Sequence, residues 1–349
     1  MHTIDFSNHA ISRIIKGNWQ LAGGHGTIDQ QQAMDDLFAY VAHGVTTFDV
    51  GDIYTGVEEI VGEFLTRYRA QEGDDKADIL RVHTKFVPDL DALDDLTMAD
   101  VRRVIERSIK RLNVKKLHLV QFHWWDYSKG DFVQAARYLQ ELQDEGLIEA
   151  IGLTNFDCAH TQMLLDAHIP IVSNQIQFSL IDPRPLNGML EFAQKNDIAI
   201  FCYGTLAGGL LAGARPGDDP TNRSHIKYRL MIDEVGEQYY NDTLAQLTII
   251  ADKHQTSIGN VAAAYILQTP GVSCAIIGPR NSAHLSEVDD LFDLKLTTTE
   301  YDTLARHHKA LTTSNHGDVY SYERDTTGPH GRIMKYNNND LRLNQKEQS

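Results

Sequence analysis

The chain of 349 residues is 42% hydrophobic and 23% charged, fractions that are typical of a globular protein. Its 48 acidic residues outnumber its 32 basic residues, and the net charge of −16 disfavours binding to nucleic acids or to anionic membranes. No apolar run is long enough to cross a bilayer, and the segment 1–10 lacks a basic and apolar leader pattern, so we expect neither a membrane span nor a secretory leader.

Cysteine and histidine usage indicates the compartment and argues against a metal centre. Cys158, Cys202 and Cys274 are far apart in apolar or mixed segments, which is typical of reduced thiols, and we therefore predict a cytoplasmic protein. No CxxC pair suggests zinc, and no third ligand stands at a useful spacing from His307 and His308. We predict no metal site and interpret these two histidines as surface residues.

Eight short apolar or β-branched runs recur along the chain, most of them followed by an amphipathic stretch. This alternation is typical of an α/β protein with a parallel sheet and helices packed outside it, and eight strands predict closure into a (β/α)8 TIM barrel. The predicted strands are 14–16, 45–49, 80–84, 117–123, 150–153, 171–175, 198–203 and 274–278. The predicted helices are 29–42, 57–68, 97–112, 132–145, 160–167, 186–194, 243–253 and 259–268.

Two stretches have no regular pattern. Residues 208–236 contain Gly, Pro and Asp and are predicted to form a long loop after strand 7, which we interpret as a lid. Residues 312–349 are polar and rich in Asn, Gly and charge. We assign residues 1–311 to one barrel domain and 312–349 to a C-terminal extension that is expected to be partly flexible.

Polar side chains stand at the ends of three consecutive predicted strands. Asp49 ends the second strand, Tyr54 follows five residues later, Lys85 ends the third and His123 the fourth. Each has an ordinary structural interpretation, such as a helix cap or a core histidine, but in a parallel barrel these ends meet at the active site. Together they predict a proton-transfer site, in which a Lys paired with Asp lowers the pKa of a neighbouring phenol from about 10.

The sequence resembles the aldo-keto reductase superfamily over nearly the whole predicted barrel. Six motifs in the same order carry the resemblance: FDVGDIY at 48–54, the His123 strand, GLTNF at 152–156, NQ at 174–175, YGTLAGG at 203–209 and IGPRN at 277–281. The resemblance implies an oxidoreductase that moves hydride between a nicotinamide cofactor and an aldehyde or ketone, or the corresponding alcohol. It assigns Tyr54 as general acid or base, Lys85 and Asp49 as the pair that tunes it, and His123 as a hydrogen-bond donor to the carbonyl.

The resemblance also implies how the cofactor is held. Thr154, Asn155 and Gln175 match the positions that bind the nicotinamide carboxamide, and Tyr203 matches the aromatic residue that stacks on the ring. The other cofactor positions are Gly204, Leu206, Gly278, Arg280, Asn281 and His284. Arg280 is expected to pair with the 2′-phosphate of NADP(H), and NAD is a second possible cofactor. Thr154 replaces the usual Ser, His284 the usual Gln, and Val288 the usual Asn near adenine.

Aromatic residues just past strands one and four predict the substrate pocket. We assign Trp19, Trp124 and Trp125 to it, together with the loop after strand 7 and the C-terminal tail. The expected partner is a small carbonyl or alcohol compound, whose identity, like the reaction direction and the oligomeric state, is not encoded in a recognisable pattern. Two alternatives stay open: a regulatory or interaction subunit of the same fold with secondary catalysis, and another barrel enzyme, such as an isomerase, that needs no nicotinamide.

Overall fold

The fold is a closed barrel of eight parallel strands, in a computed structural model that describes residues 2–22, 29–214, 222–278, 285–311 and 317–337. Neighbouring barrel strands pair in chain order and the last pairs with the first, so the predicted (β/α)8 TIM barrel is confirmed. The barrel strands are β3 (Ile14–Gly17), β4 (Thr47–Asp49), β5 (Arg81–Phe86), β6 (Leu119–Phe122), β7 (Ile151–Thr154), β8 (Ile171–Gln177), β9 (Ala199–Tyr203) and β10 (Val272–Ile277).

An antiparallel hairpin precedes the barrel and was not predicted. Its strands are β1 (Thr3–Phe6) and β2 (His9–Ser12). Phe6 packs edge-on against Phe201 with ring centroids 5.1 Å apart, inside a small apolar cluster separate from the main core. The hairpin leads directly into β3, and its cluster includes Leu119 and Ala150 near the starts of barrel strands, so the hairpin lies at the end of the barrel opposite the carboxyl ends of the strands.

Helices surround the barrel, and their caps follow sequence rules. Thr97 caps the helix Met98–Leu112 with a capping box to Asp100, a pairing that satisfies free backbone amides at the start of the helix. The helices are α1 (Gln30–Ala42), α2 (Val57–Glu72), α3 (Asp74–Ala77), α4 (Met98–Leu112), α5 (Phe132–Asp144), α6 (Cys158–Asp166), α7 (Met189–Lys195), α8 (Arg223–Val235), α9 (Glu237–His254), α10 (Ile258–Gln268), α11 (Leu285–Asp293), α12 (Thr298–Lys309), α13 (Ser321–Arg324) and α14 (Pro329–Arg332). Short 3-10 turns occupy Trp19–Ala22, Leu90–Asp95, Arg184–Leu186 and Ala207–Ala212.

The long loop predicted after strand 7 is in part a helix. Residues 223–235 form α8, whose N-cap Asn222 accepts hydrogen bonds from the amides of Ser224 and His225. Tyr228, Met231 and Ile232 are buried at helical spacing. Two features hid this helix in the sequence: charged residues lie between the buried positions, and Gly and Pro residues precede the helix. Residues 215–221 lie outside the described part of the chain.

The described part of the C-terminal extension is folded onto the barrel. Tyr320, Glu323 and His330 are buried, and two short helices, α13 and α14, lie between 317 and 337. His308, interpreted as a surface residue, is also buried, and its Nδ1 lies 3.1 Å from the hydroxyl of Tyr265. That interpretation was wrong because α12 packs this side chain inward, a contact that two adjacent histidines do not reveal.

The described residues contain neither a membrane-spanning helix nor a metal-binding cluster. No helix in these parts of the chain is long and apolar enough to cross a membrane. Among the same residues, no group of three or more His, Cys, Asp or Glu side chains is placed to hold a metal ion.

Candidate active site

A buried ion pair joins the ends of the second and third barrel strands. Asp49 is the last residue of β4 and Lys85 lies near the end of the adjacent β5. Lys85 Nζ donates to Asp49 Oδ2 and to the Val50 carbonyl, both at 2.7 Å, and each charged side chain is only 5% exposed. Parallel pairing places these two residues at one end of the barrel, where most of the other predicted site residues lie.

Two glutamines complete the shell of Asp49. Its Oδ1 accepts from Gln121 Nε2 at 3.0 Å and from Gln175 Nε2 at 2.6 Å, and Gln175 Nε2 also donates to Gln121 Oε1 at 2.9 Å. Both oxygens of the buried carboxylate are therefore satisfied, which offsets the cost of removing its charge from water. Gln121 lies in the predicted strand 117–123, but sequence reasoning did not assign it a role.

Tyr54 lies beside this pair in the turn before α2. Lys85 Nζ is 4.8 Å from the centroid of the phenol ring. Burial raises the pKa of the Tyr54 phenol, the Lys85 ammonium opposes that effect, and the pKa lies above its ordinary value. The expectation that the pKa of Tyr54 is lowered was therefore wrong, because the effect of burial outweighs that of the Lys85 cation. Burial alone would lower the pKa of Lys85, but Asp49 and Tyr54 raise it above its usual range, so Lys85 stays charged and Tyr54 stays protonated at neutral pH.

His123 directly follows β6 and is buried, with a hydrogen-bond partner for one of its two ring nitrogens. Its Nδ1 is 3.0 Å from the Thr154 carbonyl, which can only accept, so Nδ1 carries the hydrogen and Nε2 of the neutral ring presents a lone pair. Nε2 is buried and has no hydrogen-bond partner among the described residues. Burial, assisted by the Arg324 cation, lowers the pKa of His123 to about 3, so the ring is neutral at physiological pH.

The residues assigned to bind the nicotinamide carboxamide keep hydrogen-bond donors and acceptors that match those of a carboxamide. Gln175 uses its amino group on Asp49 and Gln121, and the Tyr203 hydroxyl donates to Asn155 Oδ1 at 2.9 Å. Within the described structure, Gln175 Oε1 remains as an acceptor and Asn155 Nδ2 as a donor. The Thr154 hydroxyl donates to the Gln175 carbonyl at 3.2 Å and keeps lone pairs to accept. A carboxamide needs one donor for its oxygen and acceptors for its amino group, so these residues fit it.

Two further assigned cofactor positions are glycines, and neighbouring side chains leave no room there for a Cβ atom. Gly204 follows β9 with φ of +70°, and a Cβ there would stand 2.2 Å from the Tyr228 hydroxyl, so only glycine fits. Gly278 follows β10, where a Cβ would meet Gln20 Oε1 at 2.6 Å. Leu206 is half-buried in the turn after Gly204. The other assigned positions, Arg280, Asn281 and His284, lie outside the described residues.

The three tryptophans have different environments. Trp125 packs edge-on against His123 with ring centroids 4.3 Å apart, and its indole nitrogen donates to the Pro88 carbonyl at 3.0 Å. Trp124 is fully buried against Phe122, and its assignment to the substrate pocket stays a prediction. Trp19 is half-buried in the 3-10 turn after β3.

The C-terminal extension contributes side chains that sequence reasoning missed. Tyr320 packs edge-on against His123 with ring centroids 5.5 Å apart. Arg324 donates to the carbonyls of Trp124, Trp125 and Asn155, the last two at 2.8 Å, which ties the tail to the loops after β6 and β7. The signal in the sequence was the run YSYER at 320–324, an aromatic and charged cluster in an otherwise polar tail.

A Tyr, a Lys–Asp pair and a neutral His thus lie at the ends of three consecutive strands of a parallel barrel, where enzymes of the (β/α)8 fold have their active sites. The sequence profile of the Aldo/keto reductase family matches residues 13–309. The chain therefore belongs to the aldo/keto reductase family, a family of oxidoreductases that use nicotinamide cofactors and reduce carbonyl compounds.

Individual relatives cover most of the chain. The aldo-keto reductase YhdN of Bacillus subtilis is 28% identical over 293 residues, which is 80% of this chain and 85% of the relative. The NADH-specific methylglyoxal reductase of Escherichia coli is 24% identical over 320 residues, covering 86% and 96%. The glycerol dehydrogenase AKR11B4 of Gluconobacter oxydans superposes with a TM-score of 0.75 at 24% identity, covering 90% of this chain and 97% of that one, and this likeness concerns the fold.

Proposed function

We propose that this protein is an NADP-dependent reductase of aldehydes or ketones, which also oxidises the corresponding alcohols, with Tyr54 as the general acid and base. One observation carries the proposal: the Lys85 ammonium is bonded to Asp49 at 2.7 Å and lies 4.8 Å from the Tyr54 ring centroid. A buried cation held against a phenol stabilises the phenolate that forms when the proton leaves. The free donor and acceptor groups of Thr154, Asn155 and Gln175 support the nicotinamide assignment.

Tyr54, Lys85 and His123 are each proposed to have a role at the reacting oxygen of the substrate. NADP(H), when bound, supplies the hydride for reduction or receives it in oxidation. Tyr54 donates its proton to the carbonyl oxygen as the alcohol forms, and Lys85 stabilises the resulting phenolate. His123 orients the same oxygen through Nε2. The Thr154 carbonyl fixes the tautomer of His123 that carries its hydrogen on Nδ1, and in this tautomer Nε2 accepts a hydrogen bond from the alcohol hydroxyl. The donation to a carbonyl that the resemblance implies needs the hydrogen on Nε2 instead.

Turnover of a simple aldehyde tests the function and its alternatives. We expect the protein to oxidise NADPH in the presence of 4-nitrobenzaldehyde with a kcat in the ordinary enzyme range of about 1 to 10³ per second. A regulatory subunit with the same fold would turn over far more slowly. Quenching of tryptophan fluorescence by NADPH distinguishes the proposed reductase and the regulatory subunit from a barrel enzyme that needs no nicotinamide. Absence of both turnover and quenching would contradict the proposal. The cytoplasmic location inferred from the cysteines stays a prediction.

Cofactor choice is predicted to depend on Arg280. A guanidinium binds a phosphate through two hydrogen bonds, so Arg280→Ala should remove one charged contact to the 2′-phosphate. We expect kcat/KM for NADPH to fall about 10-fold to 150-fold, which corresponds to about 1.5 to 3 kcal/mol, with little change for NADH. Arg306→Ala, at an exposed position on α12, is the control. An equal loss with both cofactors, or a wild-type preference for NADH, would overturn the NADP assignment.

A further inference from the structure

Lys227 on α8 has a charged group without an anionic partner. Its Nζ lies 5.0 Å, 5.6 Å and 5.8 Å from the ring centroids of Tyr203, Tyr228 and Tyr320. Among the described residues, no carboxylate is within ion-pair distance of this ammonium and no hydrogen bond involves it. The three rings attract the cation through their faces, but an ammonium has three N–H donors that the rings leave unfilled.

The carboxylates nearest to Lys227 are already used. Asp182 and Glu323 both hold Arg184, with oxygens 2.7 and 2.8 Å from its guanidinium nitrogens. They attract Lys227 only through space, and burial lowers the pKa of the Lys227 ammonium despite that attraction. A half-buried cation that lacks a hydrogen-bonded anion carries a desolvation cost, which a bound anion would offset.

The position of Lys227 relates it to the reacting groups. Tyr203 is the residue assigned to stack on the nicotinamide, and the ring of Tyr320 lies nearly perpendicular to that of His123, with centroids 5.5 Å apart. Tyr320 therefore contacts both Lys227 and His123. The ammonium stands one tyrosine ring away from the catalytic imidazole, on the side where the C-terminal extension covers the site.

We propose that Lys227 binds an anionic group of the substrate, so that the enzyme prefers aldehydes or ketones that carry a carboxylate away from the carbonyl. This inference rests on the proposed function, because it concerns a substrate of the same site. A carboxylate accepts hydrogen bonds from the ammonium through two oxygens, and the three tyrosine rings limit the access of water to that contact. The aromatic walls formed by Trp125 and Tyr320 suit the apolar body of such a substrate.

Two alternative roles for Lys227 predict different results. If the ammonium binds the diphosphate of the cofactor, its loss would weaken NADPH binding and affect all substrates equally. If it only balances the charge of Asp182, Glu323 and Arg184, which together leave one negative charge, its loss would reduce stability and leave substrate choice unchanged.

A matched pair of aldehydes tests the proposal. 4-Carboxybenzaldehyde and 4-formylbenzamide have the same reacting group and similar size, and they differ in charge. We expect the wild type to prefer the acid in kcat/KM, and Lys227→Met, which keeps an unbranched stem, to raise the KM for the acid about tenfold while the amide changes by less than about twofold. Lys227→Arg should restore most of the preference. Lys195→Met, at an exposed lysine that ends α7, should change neither substrate.

Each contrary result is distinct. An equal change for both aldehydes, or no wild-type preference for the acid, would overturn the inference. A rise in the NADPH dissociation constant with an unchanged ratio between the aldehydes would assign Lys227 to the cofactor, and a lower thermal midpoint with an unchanged ratio would assign it to charge balance. If the wild type turns over neither aldehyde, the proposed function itself fails, whereas good turnover of the amide without an acid preference rejects only the role of Lys227.

Discussion

Tyr54→Phe should lower kcat for carbonyl reduction by about 10²-fold to 10⁴-fold, the range typical of general acid–base catalysis. The substitution removes the hydroxyl that is proposed to supply the proton and keeps the ring that packs beside Lys85. Asp49 and Lys85 retain their own hydrogen bond, so the fold and the cofactor groups should be unaffected. The dissociation constant for NADPH, measured by fluorescence quenching, should therefore change little.

Tyr138→Phe is the matched control, because it deletes the same hydroxyl from a half-buried tyrosine on the outer helix α5. Its kcat should stay close to that of the wild type. Single-turnover measurement ensures that the chemical step is compared. If Tyr54→Phe keeps more than about half of the wild-type rate of that step, Tyr54 is not the proton donor.

The pH profile offers a second readout of the same variant. Because the pKa of Tyr54 is raised, the acid form needed for reduction is present at neutral pH and is lost only at high pH. His123, with a pKa of about 3, adds no change near its ordinary value of about 6.5. We expect wild-type reduction to be level between about pH 6 and 9 and to fall above that, and the residual rate of Tyr54→Phe to lack this fall.

Much of the barrel and of the candidate site could be predicted from local patterns. Short apolar or β-branched runs mark the barrel strands, and parallel closure places Asp49, Lys85 and His123 at one end, so strand spacing brought them together. The direction of the Tyr54 pKa shift could not be read in this way. It depends on how completely distant segments bury the phenol, and burial outweighs the single cation that the sequence shows.

The features that were missed depend on contacts between distant parts of the chain. The buried position of Trp124, the inward orientation of His308 and the packing of the C-terminal extension all arise from elements that the local sequence does not identify. Arg324 and Asn155 are 169 residues apart, and their contact follows only once the tail has crossed the carboxyl ends of the strands. Polar composition predicted a partly flexible extension, and a buried ion cluster holds its described part.

That cluster joins the extension to the barrel. Arg184, the first residue of the 3-10 turn that follows β8, donates to Asp182 at 2.8 and 2.7 Å and to Glu323 of α13 at 2.8 and 3.1 Å. All three side chains are at most 2% exposed. Burial raises the pKa of Glu323, but Arg184 outweighs it and holds that pKa at about 2. Glu323 therefore contributes stability above its unfolded pKa of about 4.3, and this contribution is lost as the pH falls towards 2.

Arg184→Met should destabilise the protein by about 3 to 5 kcal/mol at pH 7, because it leaves two buried carboxylates without their cation. Glu323→Gln should cost less, about 1 to 3 kcal/mol, because Asp182 and Arg184 still balance each other.

Arg229→Met is the control: Arg229 also contacts two carboxylates, Asp233 and Glu237, but it is exposed, so its loss should cost at most about 1 kcal/mol. Urea unfolding at pH 7 and pH 5 measures all four proteins. The deficit of Arg184→Met should shrink at pH 5, where an unpaired carboxylate takes up a proton, while the wild type changes little. If Arg184→Met loses no more stability than Arg229→Met, the buried cluster does not hold the extension on the barrel.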